Sequence, residues 1–413
     1  MGLSAVLLVL VLAISGTILS INPTIERSQA RVVGTSALTV AELTSKLADR
    51  YPQIEQLQRS PSGTLIVYFT DGNHAGADRI DPFTAGTIGP YARKPFKTWM
   101  KNLHRSYLLD TPGQISVAIG ALVMLLLSIS GTLMLVNSTG GWRHFFKPIQ
   151  SSTLSQRLHS QVGRLALIGL LLSAMTGLYM SLETFEFIPD HQTAEPAFPE
   201  HVDGGAPAAI ASLTALKNIP VSDLRELVYP YPQDSSDVYS IRTHQGMGFI
   251  DQSTGQLLVF QGYNSQQKIY EFIYMLHTGE GLWWLALLLG LSALTVPLMT
   301  WTGIQVWWRR RRAIPRISQN CKAQLADSVI LVGSENNSTW GFAGNLHKAL
   351  NSAGYRVHTA AMNKLADTYP PAKRLFILTA TYGDGDAPAS AKQFLKRLAQ
   401  VTDSPAIPYV VLG

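Results

Sequence analysis

Three histidines stand beside long apolar segments of this sequence, at positions that suit metal ligation. His104 and His277 precede two glycines, Gly131 and Gly303, by nearly the same distance, and His159 stands just before a third apolar segment. Imidazole is a common axial ligand of haem iron, and two imidazoles on facing helices hold a haem within a helical bundle. The spacing therefore predicts that His104 and His277 ligate one haem b from opposite sides.

An internal repeat relates these histidines to one another. A small hydroxyl residue followed by glycine recurs near the far end of each apolar segment, at Ser15–Gly16, Ser130–Gly131, Thr176–Gly177 and Thr302–Gly303. Self-similarity of this kind indicates a duplicated unit of helix, extracytoplasmic domain and helix. In this frame His159 ligates a second haem, and its counterpart falls three residues upstream of Met1. We expect the natural chain to start further upstream and to contain that histidine.

The alternative for each histidine is a hydrated imidazole among lipid headgroups, with no metal. His144 is a further ligand candidate near the same surface as His159, although its neighbours Trp142 and Arg143 favour an interfacial belt. The histidines of the long connections have no metal-ligand spacing. Ordinary surface residues are therefore predicted at His74, His191, His201 and His244.

Four apolar runs must position the candidate ligands. Hydrophobic residues make up 46% of the 413 residues and charged residues only 15%, an unusual ratio for a soluble protein. The apolar residues are gathered in residues 3–21, 115–136, 165–182 and 282–308. Each run has about the 17 to 25 residues that span a bilayer. The predicted fold class is therefore membrane α-helical, a four-helix transmembrane bundle in contact with membrane lipid.

Two features of the composition exclude other classes of site and partner. The single cysteine, Cys321, excludes an intramolecular disulfide, a four-cysteine iron–sulfur cluster and a four-thiolate zinc site within this chain. Much of the net charge of +6 lies in residues 309–312, beside the last apolar run. Such a cluster orients a helix in a membrane, and no nucleic-acid partner is expected.

Charge asymmetry predicts the topology. The connection between the second and third runs carries Arg143, Lys147 and Arg157, and four arginines follow the last run. By the positive-inside rule these segments are cytoplasmic, so that the two long connections face the other side. The predicted location is the bacterial inner (plasma) membrane, crossed several times, with the long loops in the periplasm.

Both long connections have the pattern of folded α+β domains. Each has a helical stretch, residues 39–50 or 208–217, followed by alternating apolar and polar residues such as 63–69 and 238–242. Period-two alternation is typical of half-buried strands.

Short motifs beside the histidines resemble the PepSY-associated transmembrane family. They are Leu103-His104-Arg105, Leu276-His277-Thr278-Gly279 and Trp307-Trp308-Arg309. The resemblance implies two PepSY-like periplasmic domains. Because the family includes iron-regulated reductases, the resemblance also implies haem-mediated electron delivery to a periplasmic ferric siderophore. PepSY domains also occur as protease inhibitors or binding modules, so a non-enzymatic sensor anchored in the membrane is the alternative.

The C-terminal part has a soluble α/β pattern. Strands and helices alternate from residue 328 onward, which predicts a parallel doubly wound sheet. The turn at 333–339 offers hydroxyl, amide and backbone N–H groups before a helix, which is an anion cradle. The turn at 379–388 follows a neighbouring strand and carries Tyr382, on which a flat ring could stack.

Together these two turns resemble flavodoxin and the FMN domains of diflavin reductases, of the sulfite reductase flavoprotein type. The resemblance implies FMN, with Asn336 and Asn337 replacing the usual threonine and glycine, and with the domain incomplete at Gly413. It implies phosphate contacts at Ser334, Asn336, Asn337, Ser338 and Thr339. It places the isoalloxazine beside Thr381, Tyr382, Gly383 and Gly385. An FAD and NADPH module in a missing continuation, or a separate reductase, is the implied electron donor.

The complete prediction divides the chain into nine segments and gives it one function. Transmembrane helices are predicted at 1–22, 104–136, 159–182 and 277–308, and PepSY-like periplasmic domains at 23–103 and 183–276. A cytoplasmic loop is predicted at 137–158, a basic linker at 309–326 and the partial FMN domain, in the cytoplasm, at 327–413. The function predicted is an oxidoreductase that passes electrons from cytoplasmic reduced FMN through two haem b groups to a periplasmic acceptor such as a ferric chelate.

Overall fold

The protein is described by a computed structural model that covers residues 2–30, 38–92, 94–147, 153–312, 316–335, 337–381, 386–401 and 407–413. The chain divides into two compact units, Met1–Ile129 with Leu165–Pro297, and Ser130–Arg164 with Leu298–Gly413. The helices are α1 (Gly2–Gln29), α2 (Val40–Ala48), α3 (Pro95–Ser106), α4 (Asp110–Ser138), α5 (Leu154–Thr184), α6 (Thr214–Lys217), α7 (Ser265–Thr278), α8 (Trp283–Arg312), α9 (Ser338–Ser352) and α10 (Phe394–Leu398). The strands are β1 (Gln53–Arg59), β2 (Leu65–Asp71), β3 (His74–Ile80), β4 (Thr87–Pro90), β5 (Leu224–Val228), β6 (Val238–Thr243), β7 (Gly246–Asp251), β8 (Leu257–Gly262), β9 (Ser328–Gly333), β10 (Val357–Ala361), β11 (Arg374–Thr379) and β12 (Tyr409–Leu412).

Among the described residues, α1, α4, α5 and α8 are long and apolar enough to cross a membrane. This confirms the four apolar helices predicted from the sequence. Glycines bring helices of the first unit close together. A side-chain carbon on Gly290 of α8 would clash with Ser20 of α1, and one on Gly169 of α5 would clash with Ser292 of α8. Small residues at such crossings let the helix backbones approach closely, as is common in membranes.

Both candidate ligands His104 and His277 lie on short helices that precede the spanning helices, which corrects the predicted segments 104–136 and 277–308. α3 ends at Ser106 because Tyr107 adopts a left-handed conformation (φ 47°), and α4 begins only at Asp110. α7 ends at Thr278, before Gly279 (φ 69°), where a side-chain carbon would clash with the backbone of Ala286. Only glycine satisfies both the left-handed turn and the close contact.

Strands of the two long connections form one eight-stranded antiparallel sheet, in the order β4-β3-β2-β1-β5-β6-β7-β8. The sequence predicts two separate α+β domains, but β1 pairs with β5 and joins their sheets, with Leu57 opposite Leu227. One apolar core serves both halves, and Leu43, Leu57 and Leu216 are fully buried in it. Pairing of β1 with β5 covers two edges that would otherwise be exposed.

Helices on this sheet differ between the halves. α2 begins with a capping box in which Glu42 N–H donates to Thr39 Oγ1 (3.3 Å) and Thr39 N–H donates to Glu42 Oε2 (2.8 Å). The second predicted helix, 208–217, is instead a single 3-10 turn, Ile210–Ser212, followed by the four-residue α6. Leu213 is extended between them and is fully buried in the shared core, which interrupts the helix.

The C-terminal sheet lies in the second unit and is parallel, in the order β10-β9-β11-β12. Alternate residues of β9 enter two separate apolar clusters, with Ile330 and Val332 in one and Val329 and Leu331 in the other. Both faces of β9 are therefore covered, as is usual for a parallel sheet. The parallel order confirms the predicted flavodoxin-like sheet, while α10 is shorter than the predicted helix at 390–399.

Candidate functional site

His104 contacts the hydroxyl–glycine pair of α1. Its Nδ1 lies 2.8 Å from Oγ of Ser15, a hydroxyl that is only 1% exposed. Its Cε1 lies 3.2 Å from the point where a side-chain carbon on Gly16 would stand. Tyr107 fixes the turn that follows α3, because its hydroxyl donates to the carbonyl oxygen of Leu8 on α1 at 2.9 Å.

His277 repeats this arrangement on the other half of the first unit. Its Nδ1 lies 2.9 Å from Thr176 Oγ1, and its Cε1 lies 3.1 Å from the point where a side-chain carbon on Gly177 would stand. The rings of His104 and His277 face one another with their centroids 6.1 Å apart and an angle of 46° between their planes. The structure thus brings together the two histidines that the repeat relates.

The donor set of this pair fits a haem iron. Nδ1 of each ring is engaged by a hydroxyl, so that Nε2 is the nitrogen left for a metal. Two imidazoles on one first-row metal ion, each bonded at about 2 Å, have ring centroids about 6 Å apart. The observed 6.1 Å between His104 and His277 agrees with that separation.

His159 contacts a third hydroxyl–glycine pair, in the second unit. Its Nδ1 lies 3.0 Å from the carbonyl oxygen of Met299 and 3.1 Å from Oγ1 of Thr302. Its Cε1 lies 3.4 Å from the point where a side-chain carbon on Gly303 would stand.

Two polar contacts fix the helices that carry His104 and His277. Lys97 of α3 donates to Glu26 of α1 at 2.8 Å, and this bond raises the pKa of Lys97 although burial acts to lower it. Arg225 of β5 donates two parallel bonds, of 2.8 and 2.7 Å, to the carboxylate of Glu271 on α7. Burial acts to raise the pKa of Glu271, but the bonds from Arg225 lower it overall. Bidentate contacts of this kind fix orientation as well as distance.

A cluster that sequence reasoning missed lies near the end of α5. The ligand atoms of Glu183, Asp190 and His191 lie within 4.8 Å of one another. His191 was predicted to be an ordinary surface residue, yet its ring stacks on Tyr270 at 3.6 Å and its Nδ1 lies 2.6 Å from Glu183 Oε1. The sequence spacing of Glu183, Asp190 and His191 does not indicate the cluster, because the turn of the chain after α5 is what brings their ligand atoms together. The hydrogen bond to Glu183 accounts for the position of His191 without a metal ion.

His144, the further ligand candidate, and two of the predicted surface histidines, His201 and His244, contact neighbouring protein groups. Nδ1 of His144 lies 2.9 Å from the carbonyl oxygen of Gly140, and Nδ1 of His201 lies 2.9 Å from that of Glu200. His244 accepts a hydrogen bond of 3.3 Å from Arg225, and burial lowers its pKa.

The second candidate site lies at the carboxyl ends of β9 and β11. Gly333 and Thr379 end these strands and pair directly across them. A side-chain carbon on Gly333 would stand 2.3 Å from Thr379 Oγ1, so that only glycine permits this approach. The loops that begin at Ser334 and at Ala380 therefore start side by side, in the position where doubly wound folds bind ligands.

The first of these loops has features that fit a phosphate. Ser334 is 4% exposed, and its hydroxyl has no hydrogen-bond partner among the described residues. α9 begins after Asn337, and Ser338 and Thr339 stand in its first turn. The side chain of Asn337 makes no capping bond to the N–H groups of this turn. Free N–H groups at a helix N-terminus bind anions. Asn337 has a left-handed conformation (φ 64°), which asparagine tolerates and which explains its presence where flavodoxins usually have glycine.

The remaining predicted contacts are only partly described. Thr381 is exposed and follows Ala380, whose N–H donates to the carbonyl oxygen of Gly333 at 3.2 Å. Asn336, Tyr382, Gly383 and Gly385 lie outside the described residues.

Comparison with known protein families gives two matches along the chain. Residues 1–310 match the family described as PepSY-associated TM region, and residues 330–413 match the family described as Flavodoxin. The first match covers most of the chain and includes all three candidate ligands. The second covers both candidate FMN loops. No individually curated protein matches the chain.

Proposed function

The chain belongs to the PepSY-associated TM region family and also carries a flavodoxin domain, and from this premise we propose that it is a transmembrane ferric reductase. It passes electrons from reduced FMN on the cytoplasmic side, through haem b groups in the membrane, to a periplasmic ferric chelate. That it is a membrane flavoprotein linked to electron transfer follows from the two family matches. The haem route, the direction and the acceptor are the proposal.

The observation that carries the proposal is the facing pair of imidazoles, His104 and His277, 6.1 Å apart. In both rings Nδ1 is engaged by a hydroxyl, which leaves Nε2 for a metal ion. Bound FMN and haem would supply the one-electron chemistry that side chains lack. The side chains bind these groups and orient them.

Each candidate residue has a defined part in this function. Ser15 and Thr176 orient the rings of His104 and His277, and Thr302 orients His159. The hydroxyl of Ser334 and the N-terminus of α9 would bind the FMN phosphate. Ser338 and Thr339 would complete that contact. By the resemblance to flavodoxin, Asn336 would join it and Tyr382 would stack on the ring system.

A second haem at His159 supports the transmembrane route. The hydrocarbon core of a bilayer is about 30 Å thick, too far for one haem to serve both faces. The basic residues that flank His159 and end α8 favour the cytoplasmic side for this histidine and for the flavodoxin domain. The proposed location is the bacterial inner membrane, with the eight-stranded sheet in the periplasm.

NADPH is the proposed ultimate donor. Flavodoxin domains of diflavin reductases receive electrons from an FAD module, which would be supplied by a continuation of the chain or by a separate reductase. The ferric siderophore is proposed as acceptor because the iron-regulated reductases of this family act on such chelates.

Electron transfer across vesicles tests the proposal. The chain is reconstituted with haem and FMN into liposomes that enclose a ferric chelate, and photoreduced flavin is generated outside. Wild-type protein should reduce the enclosed iron, whereas His104→Ala and His277→Ala should reduce it no faster than empty vesicles. The matched control His201→Ala, which changes an exposed histidine, should remain active. A fully folded protein that binds neither haem nor FMN would instead favour a PepSY binding module.

A further inference from the structure

The short helix α3 runs back along the spanning helix α1. Near its start, Lys97 donates to Glu26 of α1 at 2.8 Å. Near its end, Nδ1 of His104 lies 2.8 Å from Oγ of Ser15. Glu26 follows the apolar run 3–21 of α1, whereas Ser15 lies inside that run. Because the two contacts occur in opposite order along the two helices, α3 enters the layer that α1 crosses.

The short helix α7 runs back along the spanning helix α5 in the same way. Tyr270 of α7 stacks on His191, whose Nδ1 lies 2.6 Å from Glu183 near the end of α5. About two turns further along α7, Nδ1 of His277 lies 2.9 Å from Thr176 Oγ1. Thr176 lies inside the third apolar run, and Glu183 lies just beyond it. Each half of the repeat therefore contains a short helix that descends beside a spanning helix.

α3 exposes one strip of apolar side chains. The strip consists of Phe96, Trp99 and Leu103, and residues with this i, i+3, i+7 spacing lie on one face of a helix. Phe96 and Trp99 are 61% and 48% exposed, and their rings stack with centroids 6.2 Å apart. Met100 of the same helix is only 5% exposed. The strip is thus the side of α3 that the protein leaves uncovered.

α7 exposes apolar residues at the same positions. Ile269, Phe272 and Leu276 have the spacing of the strip on α3, and the first two are 50% and 56% exposed. Counted back from His104 and His277, the members of the two strips occupy identical positions. The exposure of apolar residues therefore recurs in register in both halves. We call the two sets the outer strips.

Exposed apolar residues continue from the outer strips to the spanning helices. Leu108 and Leu109 join α3 to α4 and are 45% and 61% exposed. Trp283 and Trp284 begin α8 shortly after α7 and are 46% and 53% exposed. Tryptophan is enriched at the boundary between lipid and water. The outer strips therefore adjoin the surface that spanning helices present to lipid.

We propose that the outer strips contact lipid acyl chains, in the leaflet on the side of the eight-stranded sheet. α3 and α7 then enter the membrane part-way and hold His104 and His277 below its surface. Acyl chains fit the strips because these contain only apolar and aromatic side chains. A two-fold dimer would cover one patch of each chain, whereas a bilayer covers both equivalent strips at once. The inference does not depend on haem, because it follows from helix direction and exposure.

Spin labels on the outer strips test this proposal. The chain carrying Cys321→Ser is reconstituted into lipid vesicles with one nitroxide attached at Trp99→Cys or Phe272→Cys. Electron paramagnetic resonance then measures collision rates with oxygen, which concentrates among acyl chains, and with a nickel chelate, which stays in water. Leu126→Cys on α4 is the lipid-facing reference, and Phe260→Cys on the edge strand β8 is the matched aromatic control in water.

Each outcome of this measurement decides the proposal. We expect the ratio of the oxygen rate to the nickel rate at both strip positions to match that at Leu126 and to be several times that at Phe260. A ratio as low as that at Phe260 would overturn the proposal, because the strips would then face water. Low rates with both reagents would also overturn it, because a second copy of the chain would then be covering the strips.

The descent of α7 has a separate measurement. Ile269 and Leu276 lie on one face of this helix, about 10 Å apart along its axis. A helix that descends beside α5 should give a higher ratio of oxygen to nickel collisions at Leu276→Cys than at Ile269→Cys. Equal ratios would place α7 flat on the membrane surface and would overturn its entry into the leaflet.

The unlabelled chain gives the same decision if a labelled variant does not fold. Lipids that carry bromine along their acyl chains quench tryptophans that touch those chains. The fluorescence that Trp99→Phe removes should therefore be several times larger in ordinary vesicles than in brominated ones. Equal losses in the two kinds of vesicle would show that Trp99 does not contact acyl chains and would overturn the proposal.

Discussion

The rings of His104 and His277 lie 6.1 Å apart at an angle of 46°, although they belong to two different helices, α3 and α7. Each ring is tied through Nδ1 to a spanning helix, His104 to α1 and His277 to α5. Both short helices also carry an ion pair, Lys97 of α3 with Glu26 of α1 and Glu271 of α7 with Arg225 of β5. The pair is therefore held in place by polar contacts at both ends, which is the arrangement that rigid metal ligation requires.

Removal of one ring from this pair should leave a site that a small molecule can repair. In His277→Ala the proposed haem would keep His104 as its one protein ligand and should change from low-spin to high-spin. Free imidazole fits the space left by the lost ring and should restore the low-spin absorption spectrum. His201→Ala, at an exposed site, should show no change at any imidazole concentration. Low-spin haem in His277→Ala without added imidazole would contradict the pairing.

Loss of the Ser334 hydroxyl should weaken FMN binding. This hydroxyl is buried without a partner among the described residues, so its replacement would remove the proposed contact to phosphate and no hydrogen bond seen in the structure. A hydrogen bond to a charged group contributes about 1.5 to 3 kcal/mol, which corresponds to at least a tenfold change in Kd. Titration of FMN fluorescence on Ser334→Ala measures the change. Ser352→Ala at the other end of α9 is the matched control. Equal affinity of the two variants for FMN would contradict the phosphate contact proposed for Ser334.

The Arg225–Glu271 ion pair should stabilise the first unit more than a comparable exposed pair does. Arg225→Met removes two short parallel bonds between β5 and α7, whose side chains are about one third exposed. We expect a loss of about 1 kcal/mol in the free energy of unfolding, because solvent screens part of the attraction. Arg242→Met breaks a contact to Glu195 that is more exposed and should cost less than about 0.5 kcal/mol. Denaturant titrations in detergent compare the two, and equal losses would show that bidentate geometry adds nothing here.

His347 should make the flavodoxin domain less stable in acid. This imidazole is 3% exposed, and burial lowers its pKa, opposed by its bond to the carbonyl of Ser318 and assisted by the charge of His358. The unfolded chain then binds a proton at higher pH than the folded one, so that stability falls as pH drops below about 6.5. The difference in melting temperature between about pH 7.5 and about pH 5.5 should be smaller for His347→Gln than for the wild-type chain. Thermal unfolding of both proteins at the two pH values measures it. An unchanged pH dependence would assign the acid sensitivity to other groups.

The local sequence pattern was sufficient to predict which helices and strands form in this protein, but not the residues at which the helices end. The four spanning helices follow from runs of apolar residues, and the strands β2, β6, β9 and β12 lie close to where alternation or an apolar run predicts them. The ends of helices differ because they depend on turns such as Tyr107 and Gly279, whose left-handed conformations are decided by contacts with other helices. Leu213 likewise interrupts a predicted helix because it is drawn into a core that both halves share.

The sequence by itself determined which residues are chemically able to act. Histidines in register with a repeat, and hydroxyl-rich turns after parallel strands, follow from residue type and spacing alone. Tertiary structure decided which of these groups meet. It joined the two halves through β1 and β5, set His104 against Ser15 and His277 against Thr176, and grouped Glu183 with His191. Most of these contacts join residues that are distant in the chain, and they form only when packed helices and paired strands bring the two partners within hydrogen-bond distance. The contact between Glu183 and His191 instead depends on the fold of the short segment between them.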